Sequence, residues 1–161
     1  MDNLRVGVIG AGHLGRLHAK MLADLPGVKL VGIYDTDGDK ARAVAGECGT
    51  VACASLESLL DGVDAVTVAT TTTAHFAVAR EALARRVHVF LEKPITESVD
   101  EAEQLCRIAR EQNAVVQVGH IERFNPAILA LEGFPLHPLF VESHRLAQFK
   151  PRGTDVAVVL D

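Results

Sequence analysis

The sequence predicts an α/β fold built on a doubly wound parallel sheet, and three observations support this prediction. Strand-like runs recur along the chain, with helix-like segments between most of them. The runs are nearly continuous in Val, Ile, Leu and Ala, as expected of strands that helices cover on both faces. The first run leads directly into a glycine-rich turn, which is typical of this class. We therefore expect parallel strands joined by right-handed crossovers.

The composition is that of one globular domain large enough to bury a core. Of the 161 residues, 48% are apolar and 23% are charged. The formal net charge is -5, with acids and bases interspersed, so we expect no nucleic-acid or membrane partner and look for a small-molecule or protein partner. The first strand follows Met1 too closely for a signal peptide, and no apolar run approaches membrane-spanning length, so we expect a cytoplasmic protein.

The three cysteines do not form a recognisable site. Cys48, Cys53 and Cys106 are odd in number and lack paired metal-ligand spacing. We expect them to be reduced and mostly buried, with no disulfide and no metal site.

The first apolar run ends at three glycines spaced G-x-G-x-x-G, namely Gly10, Gly12 and Gly15. Gly10 permits a tight turn, Gly12 lets the backbone approach a diphosphate, and Gly15 lets the following helix pack closely. That helix begins near His13 and Leu14, whose unpaired amides favour an anion. Glycine-rich turns also form for structural reasons alone, so the context decides; here it predicts a dinucleotide site at these five residues.

The helix after the glycine turn carries an apolar stripe. Its residues follow i, i+3, i+4 spacing, which predicts a face packed against the sheet. The stripe consists of Leu14, Leu17, His18, Met21, Leu22 and Leu25. We interpret His13 and His18 as structural residues, because an isolated histidine in an ordered helix is usually packed and hydrogen-bonded.

A second strand-like run, Val28–Tyr34, ends at Asp35, twenty positions after Gly15. A carboxylate at this place accepts hydrogen bonds from two ribose hydroxyls. It also repels the additional phosphate of NADP, so Asp35 predicts NAD as the cofactor and makes NADP less favoured.

The alternative role of Asp35 is structural. In that role it opens the turn that ends at Gly38 and caps the next helix. In that case Asp37 is the acid that would bind the ribose. Lys40 and Arg42 lie close beyond this strand, which leaves some room for NADP.

Further strand-like runs cover residues 65–69, 87–91 and 115–118. A capping-box pattern from Ser98 to Glu101 predicts a helix before the last of these runs. The pattern changes after Gly119, and we expect a domain boundary there. An alternating segment over 139–149 then predicts a half-exposed strand of a second sheet.

The run at 87–91 ends in Glu92, Lys93 and Pro94, at the sheet edge where ligands bind in this architecture. Lys93 at this position can steady a substrate hydroxyl or the nicotinamide ribose and can assist proton removal during hydride transfer. The alternative is a Glu-Lys pair on the surface.

Taken together, these motifs resemble those of the glucose-fructose oxidoreductase, inositol dehydrogenase and rhizopine-catabolism (Gfo/Idh/MocA) family. The glycine turn, Asp35, the Glu92–Lys93–Pro94 motif and the segment 118–126 agree with the family in order and spacing. The resemblance covers essentially the whole chain. It implies a Rossmann dinucleotide-binding domain over 1–120 and the truncated start of a second α+β domain, for substrate and dimerisation, over 121–161.

The resemblance also implies roles for the turn after the run at 87–91. Lys93 is the catalytic residue at the reaction centre, where it also meets the substrate. Pro94 shapes the turn beside it, and Glu92 contacts the ribose region of the cofactor.

Two other segments acquire roles from the same resemblance. Thr70, Thr71 and His75 lie in the loop region that borders the cofactor, although the family often has proline where Thr71 stands. Arg123 and Asn125 lie near the sugar site. Asn125 followed by proline is also a typical helix start, and both interpretations can hold.

The family completes its active site with an Asp and a His from the second domain. Residues 152–161 resemble the segment before that motif, and Asp161 is its first acid, but the histidine has no position in this chain. We therefore expect this polypeptide to bind the cofactor without appreciable turnover. The apolar run 156–160 needs a partner to cover it, which makes a homo-oligomer an expectation as well.

These observations lead to an expected function. The resemblance implies an NAD-dependent oxidoreductase that transfers hydride between nicotinamide and a secondary alcohol of a sugar, cyclitol or nucleotide sugar. One alternative is a non-catalytic regulator that senses a dinucleotide or a sugar, although such a sensor has no need of Lys93. Another is a different Rossmann reductase in which the Glu-Lys-Pro motif is incidental.

Overall fold

The computed structural model describes residues 3–135, 137–142 and 144. They contain a six-stranded sheet of order β3-β2-β1-β4-β5-β6, in which every neighbouring pair is parallel. The strands are β1 (Leu4–Ile9), β2 (Val28–Tyr34), β3 (Val51–Ala52), β4 (Ala65–Val68), β5 (His88–Leu91) and β6 (Val116–Val118). This arrangement confirms the predicted doubly wound parallel sheet. The two-residue strand β3 is too short to leave a sequence pattern.

Helices cover both faces of the sheet, as the apolar strands predict. They are α1 (His13–Asp24), α2 (Gly38–Glu47), α3 (Leu56–Leu60), α4 (Thr72–Ala84), α5 (Val99–Gln112) and α6 (Pro126–Leu129). Helices α1 and α2 bury their small residues against Val8 and Ile33. Helices α3, α4 and α5 build the larger core on the opposite face, around Val66, Val89 and Leu91.

The packing face of α1 differs from the predicted stripe. Its buried residues are Gly15 and Ala19. Met21 is 72% exposed, and Leu17 and Leu25 are exposed as well. The helix approaches the sheet so closely that only the smallest side chains fit between them, and the large apolar residues are displaced to one side.

Two predicted local features can be compared with the structure directly. The Ser98 side chain accepts a hydrogen bond from the Glu101 amide, so Ser98 caps α5 as its pattern predicts. The three cysteines are free, but Cys106 is exposed on α5, so the expectation that they are mostly buried was wrong for this residue.

The sheet ends at β6, and a 3₁₀ turn (Ile121–Phe124) and α6 follow it. The predicted strand over 139–149 is not formed by its described part, 139–142 and 144; its remaining residues lie outside the described part, as does the apolar run 156–160. Among the described residues, no helix combines the length and the apolar character that crossing a bilayer requires.

Candidate functional site

Five segments that carry predicted site residues leave the sheet at one edge. Because all six strands are parallel, the residues after β1, β2, β4, β5 and β6 emerge on the same side. The sheet order reverses between β1 and β4, which is the point where α/β folds of this type bind ligands. This edge brings together the glycine loop, Asp35, Thr70, the Glu92–Lys93–Pro94 turn and Gly119.

The glycine loop is shaped by close approaches between backbone atoms. Gly10 has a φ of +96°, and a Cβ there would lie 2.6 Å from the Ala69 carbonyl oxygen. A Cβ on Gly15 would lie 1.7 Å from the Gly10 carbonyl oxygen. Neither position can hold a side chain, because a backbone atom already occupies the space. By contrast, no atom lies within 4 Å of a Cβ placed on Gly12, so this residue opens onto free space.

The first turn of α1 faces that free space with uncapped amides. Gly12 is the N-cap residue and offers no side-chain cap, and the first turn contains no acidic residue. The Arg16 amide donates to the Gly12 carbonyl at 2.9 Å, so the amides of His13 and Leu14 precede the first intrahelical bond. An open space above uncapped amides fits the diphosphate of a dinucleotide.

Asp35 is tied to the glycine loop by its carboxylate. Its Oδ2 accepts the Ala11 amide at 2.6 Å, and its Oδ1 accepts the Asp37 amide at 2.8 Å. Two carboxylate oxygens have about four acceptor positions, so these bonds leave capacity for hydroxyl groups. Asp35 therefore opens the turn as its alternative role requires. It does not cap α2, because Asp37 fills that position through the amides of Asp39 and Lys40.

The two basic residues near Asp35 are each paired with another acid. Lys40 Nζ lies 3.1 Å from Asp37 Oδ2, and Arg42 contacts Asp39 Oδ1 at 2.5 Å. The hydrogen bond from Lys40 lowers the pKa of the Asp37 carboxyl, and the hydrogen bond to Asp37 raises the pKa of Lys40. A cavity of about 440 Å³ beside Asp35 is also lined by Arg42.

The Glu92–Lys93–Pro94 turn follows β5 and contains a cis Lys93–Pro94 peptide bond. The Glu92 amide donates to the Val68 carbonyl at 3.1 Å, which ties the start of the turn to β4. Lys93 is exposed, whereas Glu92 is only 8% exposed and packs its carboxylate against Gly119. A Cβ on Gly119 would lie 3.2 Å from Glu92 Oε1.

His18 reaches this turn from α1. Its Nε2 lies 3.1 Å from Glu92 Oε1, its Nδ1 lies 2.7 Å from Thr67 Oγ1, and its ring meets Phe90 edge-on. His18 is thus packed and hydrogen-bonded, as predicted for a structural residue. The sequence gives no sign of its partners, because Thr67 lies 49 residues further along the chain and Glu92 further still.

His75 lies beneath the turn rather than on the surface of the site. It is 1% exposed on the first part of α4, and its Nδ1 lies 2.9 Å from the Pro94 carbonyl oxygen. Its Nε2 has no hydrogen-bond partner among the described residues. His75 therefore contacts the residues at the sheet edge only by its hydrogen bond to the Pro94 carbonyl, among the contacts described.

Thr70 and Thr71 lie between the glycine loop and the Glu92 turn. The Thr70 amide nitrogen is 3.1 Å from a Cβ placed on Gly10, so the loops after β1 and β4 are in contact. The Thr70 hydroxyl donates to the Thr71 carbonyl at 3.3 Å, and the Thr71 hydroxyl is 3.1 Å from that of Thr73.

A groove of about 1050 Å³ runs from these residues along the neighbouring face of the sheet. Thr70, Thr71, Glu92 and Lys93 line one end of it. The exposed leucines of α1, Leu17 and Leu25, also line this groove.

The two predicted substrate residues lie beyond β6. Arg123 is exposed in the 3₁₀ turn. The Asn125 side chain accepts the Ala127 amide at 3.0 Å and donates to Glu122 Oε2 at 2.7 Å, so it caps α6. The helix-start interpretation of Asn125 is therefore confirmed. In the described part of the chain, no three His, Cys, Asp or Glu side chains are arranged to hold a metal ion.

The chain is similar in sequence and in fold to known proteins. The chain is 44% identical over its whole length to UDP-N-acetylglucosamine 3-dehydrogenase of Acidithiobacillus ferrooxidans, of which it covers 51%. A crystal structure of that enzyme matches with a TM-score of 0.90 at 42% identity, covering 100% of this chain and 51% of the other. This chain therefore spans about half the length of that curated relative.

Two more distant relatives extend the comparison. The chain is 36% identical to an NAD(+)-dependent scyllo-inositol 2-dehydrogenase of Bacillus subtilis, across 77% of this chain and 37% of the other. A structure of GenD2 from gentamicin A biosynthesis in complex with NAD matches with a TM-score of 0.79 at 30% identity, across 83% and 39% of the two chains. The model of an oxidoreductase family with an NAD-binding Rossmann fold matches residues 4–120. The chain belongs to this family, the Gfo/Idh/MocA oxidoreductases.

Proposed function

We propose that this chain provides the NAD-binding part of a dehydrogenase that transfers hydride between nicotinamide and a secondary alcohol carbon of a sugar, cyclitol or nucleotide sugar. The observation that carries the proposal is the meeting of three features at one sheet edge. They are the open space at Gly12, the carboxylate of Asp35 and the exposed Lys93. The naming of the relatives as dehydrogenases of such substrates supports it.

In this proposal the two ends of the cofactor lie on either side of the glycine loop. The amides of His13 and Leu14 hold the diphosphate, with Gly12 leaving room for it. Asp35 binds the adenosine ribose on the β2 side. The nicotinamide ribose then lies on the β4 and β5 side, beside Thr70, Thr71 and Glu92, because the sheet order reverses between β1 and β4.

Lys93 is the group proposed to act on the substrate. When bound, NAD supplies the carbon that accepts or donates hydride. The Lys93 Nζ hydrogen-bonds the substrate hydroxyl and takes its proton as the alcohol is oxidised. Pro94 fixes the turn beside it. Arg123 and Asn125 stay proposed substrate residues, with Asn125 acting through the start of α6.

The cofactor is proposed to be NAD in preference to NADP. Asp35 repels a phosphate on the ribose that it binds. The basic residues that could offset this repulsion are engaged, Lys40 by Asp37 and Arg42 by Asp39. A 2'-phosphate would have to displace one of these acids.

The chain divides, in this proposal, into a dinucleotide-binding domain over 1–120 and the start of a substrate domain over 121–161. A nucleotide sugar is the substrate class that best suits the 44% identity to a UDP-N-acetylglucosamine 3-dehydrogenase. The binding of substrate and the exclusion of water need residues beyond those described at the edge, so the 161-residue polypeptide alone is expected to bind NADH without appreciable turnover.

Calorimetry with NADH and NADPH, followed by a dehydrogenase assay, tests the proposal. We expect NADH to bind more tightly than NADPH, and no measurable oxidation of sugars by the 161-residue form. Absence of NADH binding would overturn the cofactor assignment. A high rate from this form would overturn the second expectation alone. Lys93→Ala should leave NADH binding largely intact, because the proposal assigns Lys93 to the substrate.

A further inference from the structure

Two imidazole rings contact the Glu92–Lys93–Pro94 turn from opposite sides, and neither ring belongs to it. His18 on α1 contacts the carboxylate at the start of the turn, with Nε2 3.1 Å from Glu92 Oε1. His75 on α4 contacts the end of the turn, with Nδ1 2.9 Å from the Pro94 carbonyl oxygen. Lys93 lies between these two fixed points.

The contacts of His75 define which nitrogen carries its proton. A carbonyl oxygen only accepts hydrogen bonds, so Nδ1 must donate to Pro94. The Nε2 atom is buried and has no partner among the described residues. A proton on Nδ1 therefore makes the bond to Pro94, whereas a proton on Nε2 would be a buried N–H without a partner.

The contacts of His18 point to a proton on the other ring nitrogen, Nε2. The Glu92 carboxylate accepts hydrogen bonds, so Nε2 carries the proton and donates to it. The Thr67 hydroxyl, 2.7 Å from Nδ1, then donates its proton to the ring. In this arrangement both ring nitrogens of His18 are hydrogen-bonded, and the Phe90 ring packs against His18 edge-on.

We infer that His18 and His75 are positioning residues that hold the Glu92–Lys93–Pro94 turn in place for the nicotinamide end of the cofactor, each through one specific ring nitrogen. This inference rests on the proposed function, because it takes the nicotinamide ribose to lie beside Glu92. His18 orients the Glu92 carboxylate, and His75 anchors the backbone on the far side of Lys93. In this inference each ring acts through the turn and not on the cofactor directly.

Substitutions that keep one ring nitrogen and remove the other test this inference. The Asn amide nitrogen lies at about the position of imidazole Nδ1, and the Gln amide nitrogen lies at about that of Nε2. At position 75, His75→Asn keeps the donor to Pro94, whereas His75→Gln places it elsewhere. At position 18 the roles of the two variants are exchanged. His18→Gln keeps the donor to Glu92, whereas the shorter side chain of His18→Asn reaches only Thr67.

The readout is the affinity for NADH relative to ADP-ribose, which lacks nicotinamide and its ribose. We expect His75→Gln and His18→Asn to bind NADH about tenfold more weakly, the effect of one lost hydrogen bond to a charged or anchored group. We expect the NADH affinities of His75→Asn, His18→Gln and the unmodified chain to agree within about threefold. The affinity for ADP-ribose should be unchanged in all of these proteins. If the variants only lost packing contacts, Asn would not restore NADH affinity at position 75 while Gln restored it at position 18.

His88 offers a matched control. It lies at the amino end of β5, away from the site, and its Nδ1 accepts the Val115 amide at 3.0 Å. His88→Asn should leave both affinities unchanged. Equal effects of Asn and Gln at positions 18 and 75, or equal losses for NADH and ADP-ribose, would overturn the inference while leaving the proposed function standing. Failure of the unmodified chain to bind NADH would overturn both.

Nitrogen-15 NMR of the histidine rings at pH 8 needs no substitution and so does not depend on whether the variants fold. We expect His75 to carry its proton on Nδ1 and His18 on Nε2. The reverse tautomer at either ring would contradict the hydrogen bonds on which the inference depends.

Discussion

The glycine loop and the Glu92–Lys93–Pro94 turn stand at the same sheet edge but are held in different ways. In the glycine loop, backbone meets backbone: Gly15 fits against the Gly10 carbonyl, and Gly10 against Ala69. The turn is held by side chains from two helices, through His18 and His75. The first region is held by backbone packing at two glycines, and the second by side chains from distant parts of the chain.

This difference predicts different responses to substitution. A change in the glycine loop acts on the fold itself or on the space left for the ligand. A change in the side chains around the turn acts on alignment and can be rescued by a residue of similar reach.

Gly15→Ala should have the largest effect, because its Cβ would lie 1.7 Å from a backbone carbonyl oxygen that cannot move cheaply. We expect a loss of about 3 kcal/mol or more in the free energy of unfolding, measured by urea denaturation. Gly46→Ala in α2 is the matched control, because its Cβ meets nothing within 4 Å. It should be as stable as the unmodified chain or more so. A fully stable Gly15→Ala chain would refute the close approach.

Gly12→Ala should separate binding from folding. Its Cβ meets no protein atom within 4 Å, so the melting temperature should stay unchanged. The methyl group enters the space assigned to the diphosphate, and NADH affinity measured by calorimetry should fall about tenfold or more. Gly46→Ala serves again as the control and should bind normally. Unchanged affinity would show that the ligand does not approach this backbone.

Asp35→Asn should weaken NADH binding by about tenfold and reduce the preference over NADPH, because it removes the charge that repels a phosphate. Asp37→Asn is the control two residues away. Asn caps helices about as well as Asp, so this variant should keep both its stability and its preference. If Asp37→Asn changed the preference and Asp35→Asn did not, Asp37 would be the ribose-binding acid.

Asp64→Asn should have the smallest effect, at the edge of the sheet opposite the site. Arg5 holds the Asp64 carboxylate with two side-chain bonds, and this pairing lowers the pKa of Asp64 from 3.8 to about 2. Because the folded pKa is the lower one, the pair stabilises the fold above about pH 4 and is lost as the pH falls toward 2. Asp64→Asn should slightly lower the melting temperature at pH 7. The difference in melting temperature between Asp64→Asn and the unmodified chain should become smaller below pH 4. A difference that does not change with pH would contradict the Arg5–Asp64 pairing.

The sequence predicts the locally encoded parts of this molecule well. The strands other than β3 follow from their apolar runs, and the glycine loop follows from spacing that lies within six residues. The Ser98 cap and the helix start at Asn125 are likewise contacts between near neighbours.

The parts that sequence could not give depend on contacts between distant residues. The bond from His18 to Glu92 joins the first helix to the turn after the fifth strand, and no spacing rule connects them. The position of His75 beneath Pro94 depends on how α4 packs against the sheet. The apolar stripe of α1 shows a related limit, because periodicity marks an apolar face but does not say that Gly15 and Ala19 take the contact with the sheet.

The most direct test of the account is an NMR titration of the amide signals of the 161-residue chain with NADH. We expect the amides of Gly12, His13 and Leu14 to shift most, and we expect ADP-ribose to shift the same amides while leaving those around Lys93 unchanged. If NADH leaves the three glycine-loop amides where they are, or shifts only residues elsewhere, the dinucleotide does not bind at this loop and the account is wrong.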